Sequence, residues 1–260
     1  MKIALCLYGL VGSDRGKSYD KLGGTNEVLK SCFNSFKKHI IDKNNTDVFF
    51  HTWDQEFKDE LIQNYKPKLF KTEPQKIFYN TVNGPEKRVQ AHYSKWYSNK
   101  QVNLLKQEYE KFNNFKYDFV ITSRFDMMWT VDIICKNLNK DIFYIPGTTK
   151  SNVPWGWPDN QNGVPYEIDD LWCISNSKNI DDFSLLYDNI NNYIEKEKCP
   201  THLGISNHML SFYHLGKLNL LPNNTKRIFS GPDLPNKTGF SDYQLYRTYI
   251  KKVKNGVIPV

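Results

Sequence analysis

Arg124 and Asp126 close an apolar run, Tyr117-Asp118-Phe119-Val120-Ile121-Thr122-Ser123, and a guanidinium beside a carboxylate at a strand end suits a diphosphate. The guanidinium faces phosphate oxygens as a bidentate fork, and the carboxylate holds a divalent cation. Residues two apart on an extended chain share a face, so both point one way and Phe125 the other. A structural ion pair is the alternative. Exposed pairs stabilise by only about 0–1 kcal/mol, which gives little reason to set charges against so apolar a run.

Three further segments carry groups of the same kind. Gly9-Leu10-Val11-Gly12-Ser13 follows the run Lys2 to Tyr8, so its backbone amides can meet a phosphate or a nucleoside, with Arg15 within reach of a phosphate. It is neither Gly-x-Gly-x-x-Gly nor a P-loop, and a plain strand-to-loop turn competes with the binding role. His51-Thr52-Trp53-Asp54 ends another run and brings Thr52 and Asp54 to the same side of the sheet. Asp54 is either a ligand or the N-cap of the following helix, and Trp53 is expected to pack. Asp169-Asp170-Leu171-Trp172 opens a late strand, where alternation lets one aspartate face the cleft; Asp170 is the choice, as general base on an acceptor hydroxyl or as an acceptor anchor. Solvation of a loop end is its bland alternative.

Two more groups complete the set. Trp155 and Trp157, in a loop rich in Pro, Gly and Asn, offer faces for sugar rings, or else simply anchor that loop. His202 and His208 lie near the start of a helix expected over 205–215, where a histidine would join Asp126 on a metal; six-residue spacing is no recognised metal signature, and structural histidines compete.

The elements that must position these residues follow from apolar periodicity. Strands are expected at 2–8, 47–54, near 69, 117–126, 142–145, 168–175 and 217–221. Helices are expected after a Thr25 N-cap (Val28, Leu29, Cys32, Phe33, Phe36, Ile40), over 55–65, over 89–112, from a Ser177 cap to Ile194, over 205–215 and weakly over 243–252. This alternation predicts one α/β domain with a mostly parallel central sheet flanked by helices.

Composition narrows the function classes. The 260 residues carry a net charge of +7, but lysines are spread throughout among many asparagines, and the denser stretches at Lys66 to Lys76 and Lys251 to Lys254 lack an aromatic RNA-recognition pattern. Nucleic acid is not an expected partner. No run of about 18 apolar residues occurs, so no membrane span is expected, and the short apolar opening lacks a cleavage site, so no signal peptide is expected either. Five scattered cysteines without a Cys-x-x-Cys pair point to free thiols in a reducing, cytoplasmic setting.

Taken together, Lys2-Ile3-Ala4-Leu5-Cys6-Leu7-Tyr8-Gly9, Asp47-Val48-Phe49-Phe50-His51-Thr52-Trp53-Asp54, Ser94-Lys95-Trp96-Tyr97-Ser98-Asn99-Lys100 and the segment Tyr117 to Asp126 resemble a group of GT-A-type glycosyltransferases of large DNA viruses and microbes. The resemblance covers the first half best; later, Asp169 to Ser175 is similar to the family's Asp-rich strand, with Leu171 where an Arg often stands. It implies a single GT-A-like domain over 1–260 with a nucleotide-sugar half over 1–126 and an acceptor half over 127–260, a nucleotide-sugar donor over the sheet, a glycan or glycoprotein acceptor, and Mn²⁺ or Mg²⁺ near Asp126. It also sets Arg-x-Asp where better-known relatives have Asp-x-Asp, so Asp126 holds the cation alone or Arg124 replaces part of its charge. A nucleotidyltransferase acting on a sugar phosphate and a non-catalytic glycan-binding protein are the alternatives.

Overall fold

The computed structural model describes residues 1–12, 25–78, 82, 84–147, 168–199, 204–221, 223–230 and 241–255. The chain runs β1 (Ile3–Gly9), α1 (Asn26–Phe36), a π turn (Lys37–Ile41), α2 (Asp42–Asn44), β2 (Asp47–Thr52), a 3-10 turn (Gln55–Phe57), α3 (Lys58–Tyr65), β3 (Leu69–Thr72), α4 (Glu86–Phe112), β4 (Phe119–Arg124) and β5 (Met127–Trp129). It continues through a 3-10 turn (Cys135–Asn137), β6 (Phe143–Gly147), β7 (Trp172–Ser175), α5 (Ser177–Ser184), α6 (Leu186–Asn191), a π turn (Asn192–Lys196), α7 (Asn207–Lys217), β8 (Thr225–Ser230), β9 (Tyr243–Leu245) and α8 (Tyr246–Lys254).

Seven strands form one sheet in the order β3-β2-β1-β4-β7-β6-β8, and β5 pairs with β9 beside it. β3, β2, β1 and β4 pair in parallel, β7 is antiparallel to β4 and to β6, and β6 is parallel to β8. The protein is thus α/β with a mostly parallel central sheet, as its alternation of elements predicts. Of the seven strands β7 runs against the rest.

β1 explains the layering. Its residues Ile3 to Tyr8 are all buried, and period-2 alternation sends Ile3, Leu5 and Leu7 into one core with Val28, Leu29, Cys32 and Phe36 of α1. Ala4, Cys6 and Tyr8 enter the other core, against Val89, Tyr93, Trp96 and Val102 of α4. A strand apolar on both faces must be covered on both, and helices do so. Leu5→Ala would cost about 2–5 kcal/mol at such a site.

Helix α1 starts where Thr25 caps it, its hydroxyl accepting the Val28 N–H at 3.3 Å. The long α4 differs, because its buried side includes Asn99, Asn103, Lys106 and Glu110 among apolar residues. Asn99 donates to Thr122 on β4 at 3.0 Å, Lys106 and Glu110 pair with each other at 2.9 Å, and Asn103 donates back to the Asn99 carbonyl at 2.9 Å.

Three local expectations change. Asn176, one residue before the expected Ser177, caps α5 by accepting the Asn179 N–H at 2.9 Å. Residues 217–221 are not a strand: α7 runs to Lys217, Asn219 turns the chain at φ 56°, and the strand comes at Thr225–Ser230. No strand was expected at 127–129, and 243–245 was expected to open a weak helix, yet Met127–Trp129 pairs with Tyr243–Leu245 and the helix begins at Tyr246. All five cysteines are free and buried, and none of the helices among the described residues is long and apolar enough to cross a membrane.

Candidate functional site

Parallel pairing sets the carboxyl ends of β1, β2 and β4 side by side, with Gly9 opposite Thr52 and Tyr8 opposite Arg124. Ligands of open α/β sheets gather outside such ends. Because β7 is reversed, its beginning lies there too: Ser123 pairs with Trp172, and the Arg124 N–H donates to the Leu171 carbonyl at 3.3 Å. Asp169 and Asp170, which precede β7, are therefore brought to the residues that end β4.

The loop after β1 is held from two sides. Gly9 and Gly12 take φ of 96° and 97°, which side-chain-bearing residues rarely adopt. The Val11 N–H donates to Asp54 Oδ2 at 2.6 Å, and the Asp54 N–H donates to Thr52 Oγ1 at 3.1 Å. Asp54 thus does not cap the turn that follows; its side chain serves the β1 loop. Burial pushes its carboxyl up to about 6, and the Val11 hydrogen bond offsets only part of that.

On the other side, the Gly9 N–H donates to Ser98 Oγ at 2.8 Å, Ser98 lies 2.6 Å from His51 Nδ1, and His51 Nε2 lies 2.9 Å from Glu73 Oε1. Burial lowers the His51 pKa to about 4 despite Glu73, so the ring is neutral at pH 7. A neutral ring between these partners donates Nε2–H to Glu73 and accepts the Ser98 hydroxyl at Nδ1. The arrangement has the residue types of a Ser-His-acid relay. Ser98 and His51 are both 0% exposed, so no substrate carbonyl reaches the hydroxyl, and the relay fixes the start of the loop instead. Trp53 packs as expected, stacked on Tyr97 with ring centroids 5.4 Å apart.

Arg124 and Asp126 form the fork that their spacing predicts. Nε donates to Oδ1 at 2.8 Å and Nη2 to Oδ2 at 2.7 Å, so both carboxylate oxygens are engaged. Phe125 anchors the opposite face, its ring 6.0 Å from Phe50 and 6.1 Å from Tyr65. Gly12 presses on the pair, for a Cβ there would lie 2.5 Å from the Asp126 Cβ. Only glycine leaves room for that approach.

The second cluster surrounds Asp170. The Lys95 ammonium, from α4, donates to both the carboxylate and the backbone carbonyl of Asp170, and the Tyr8 hydroxyl reaches the same carbonyl at 3.4 Å. Burial pushes the Asp170 carboxyl up, but Lys95 overrides it and holds the group well below the usual carboxylate range. Asp169 is the opposite case: burial pushes it up to about 6, outweighing His208 and Lys95. His208 Nδ1 lies 3.7 Å from Asp170 Oδ1 and donates to the Ile168 carbonyl at 2.8 Å. Burial lowers its pKa, yet Asp170 and Asp169 together raise it above the ordinary histidine value.

Asp169, Asp170 and His208 each offer a ligand atom, all within 4.8 Å of one another. Two carboxylates and an imidazole make a donor set that a divalent metal ion accepts. The strict alternation expected of the two aspartates fails because both lie before β7 begins at Trp172, so both can serve one site.

Of the residues chosen from sequence, Gly9, Thr52, Asp54, Arg124, Asp126 and Asp170 all lie along this edge of the sheet, while Ser13, Arg15, Trp155, Trp157 and His202 lie outside the described residues. His208 is brought to Asp169 and Asp170, and Asp126 to Arg124. Lys95 and Ser98 were not singled out as site residues, although both lie in the quoted segment Ser94 to Lys100. Their signal was weak, since one lysine among 35 basic residues carries no mark of burial. Compared with protein-family models and with curated proteins, the chain finds no match in either.

Proposed function

We propose that this protein is a glycosyltransferase that moves a sugar from a nucleoside-diphosphate sugar to a hydroxyl acceptor, with a glycan or glycoprotein as the acceptor class. One observation carries the proposal. The Arg124–Asp126 fork and the Asp169, Asp170, His208 group meet across the β4–β7 pairing, a fixed cation beside a cation-binding donor set.

Cleaving a sugar–phosphate bond leaves negative charge on the departing diphosphate, and preorganised positive charge lowers that barrier most. Arg124 is the fixed cation for those oxygens, and Asp126 orients it through both nitrogens while Gly12 allows the close packing. Mn²⁺ or Mg²⁺ bound by Asp169, Asp170 and His208 would act as Lewis acid on the same charge. Gly9, Thr52 and Asp54 frame the nucleotide end. Asp170, so strongly held as an anion by Lys95, is a weak proton acceptor at neutral pH and serves as ligand and anchor in place of a general base.

The test is a thermal-shift screen of nucleoside diphosphates and their sugars with and without Mn²⁺, followed by release of nucleoside diphosphate from the donor found. Ligands that bind the native state raise its melting temperature by mass action. Asp126→Asn is expected to lower turnover by about 10²-fold or more, the scale of losing one charge-stabilising element, while remaining folded. Stabilisation by no nucleotide overturns the proposal. Pyrophosphate release from a nucleoside triphosphate and a sugar phosphate would make the enzyme a nucleotidyltransferase, and glycan binding without nucleotide affinity would make it a binding module.

A further inference from the structure

We propose that Lys95 is the resting counter-ion of a divalent-cation site built by Asp169, Asp170 and His208, and that Mn²⁺ enters by displacing the Lys95 ammonium from Asp170. The proposal rests on that group being a cation site and does not need the glycosyl-transfer reading.

Three observations support it. First, the three ligands are already assembled within 4.8 Å, and Lys95 sits on the carboxylate that a cation would share. Second, the ammonium leaves the cluster incompletely satisfied. Asp169 accepts one long hydrogen bond, from the Tyr243 hydroxyl at 3.4 Å, and Ser211 Oγ, fully buried, has no hydrogen-bond partner. Ser211 lies one turn beyond His208 on α7 and lines a small cavity together with Asp169 and Asp170. A buried hydroxyl without a partner is costly, and an ion with its bound water supplies what it lacks.

Third, the frame is clamped independently of the lysine. The Trp96 Nε1–H donates to Asn207 at the start of α7 at 2.7 Å, and the Arg88 Nε–H donates to the Ile205 carbonyl at 2.8 Å, so α4 holds α7 and keeps His208 beside Asp170. Lys95 ends a flexible four-carbon stem and its side chain is 11% exposed, so it has a path to solvent. One charge on one carboxylate is a weaker partner for this donor set than a divalent ion drawing lone pairs from all of it.

The full chain, freed of metal by chelation, is titrated with Mn²⁺ and followed by calorimetry and by the loss of the free-ion spin-resonance signal. Lys95→Met and Lys95→Gln are expected to bind at least tenfold more tightly than the parent, and His208→Ala to lose the site. In the unmodified protein, acylation of the Lys95 amine, read by mass spectrometry, is expected to rise several-fold when Mn²⁺ is added; this arm needs no variant to fold. Equal affinity in parent and Lys95 variants, or Lys95 labelling indifferent to saturating Mn²⁺, overturns displacement even if His208→Ala still abolishes binding. Binding that His208→Ala leaves intact, or no binding at all, overturns the site as well. The expected Mn²⁺ behaviour in a protein that no nucleotide stabilises would sink glycosyl transfer and leave this inference standing.

Discussion

Helix α4 turns two lysines inward, Lys106 fully buried and Lys95 partly so, eleven residues apart and so about 16 Å along the helix axis, and their surroundings differ in one respect. Around Lys106 the polar groups are largely matched, with Asp181, whose carboxyl burial pushes up, as the exception. Lys106 pairs with Glu110 at 2.9 Å and Asp181 at 2.7 Å, and Glu110 also accepts from Ser177 at 2.6 Å, the Tyr117 N–H at 2.8 Å and Lys116 at 2.9 Å. Burial pushes Glu110 up, but these donors outweigh it and hold its pKa below the ordinary glutamate value. Around Lys95 the matching is partial: Asp170 is well held, Asp169 is pushed up to about 6, and Ser211 has no partner. Evenly satisfied buried charge fixes a fold, whereas a surplus of lone pairs marks a place for something else to bind.

The largest expected effect separates the two lysines by stability. Lys106→Met removes the fully buried cation that Glu110 and Asp181 share and should cost about 3–5 kcal/mol, the scale of breaking a buried ion pair. Lys95→Met should cost less, about 1–3 kcal/mol, the scale of hydrogen bonds to a charged group. Urea unfolding with and without Mn²⁺ sharpens the contrast, because Mn²⁺ should restore the Lys95 variant and leave the Lys106 variant unchanged. Equal losses with no rescue in either would erase the distinction.

A second difference lies in the backbone. Gly12, at φ 97° with Asp126 2.5 Å from where a Cβ would stand, supports the charged edge of the sheet by being small. Gly12→Ala combines a disfavoured left-handed backbone with overpacking, and about 2–3 kcal/mol of lost stability is expected. The shift of Asp126 should also weaken the fork, read as loss of thermal stabilisation by nucleotides. Normal nucleotide binding in a destabilised Gly12→Ala would detach the loop from the site.

Much of this arrangement was legible in the chain. β1, β2 and β4 announce themselves as apolar runs, the Thr25 cap and the α4 periodicity are plain, and two-residue spacing alone places Arg124 beside Asp126. What was not legible depends on strand direction and on long-range contact. No local pattern says that β7 is reversed, and it is this reversal that carries Asp169 and Asp170 to the end of β4. His208, 38 residues beyond Asp170, could be matched with the right carboxylate only after α7 was docked on α4. Lys95 and Ser98 look like the solvated face of a helix until the sheet edge is set against them, because burial of a polar residue is a property of its neighbours. For the same reason Asp54 reads as a cap from its position, although the β1 loop offers it the Val11 amide instead.

The smallest expected effect is the pH dependence, and its sign distinguishes Asp169 from Glu110. Asp169 has its folded pKa raised from 3.8 to about 6, so it contributes stability below pH 4 that is lost as pH rises through 6. Glu110 has its folded pKa lowered from 4.5, so its contribution is present above that value and lost as pH falls through the folded pKa. With metal chelated, Asp169→Asn should therefore match the parent near pH 4 and exceed it at pH 8 by about 1–2 kcal/mol, the 1.36 kcal/mol per unit being reduced by partial solvent screening. Glu110→Gln should be destabilised at pH 8, and the deficit should shrink as the solution is acidified below pH 4. Chemical denaturation of both variants across pH 3 to 8 measures the two slopes. If they share a sign, the partial matching around Asp169 is not a surplus of negative charge, and the cation site loses its electrostatic basis.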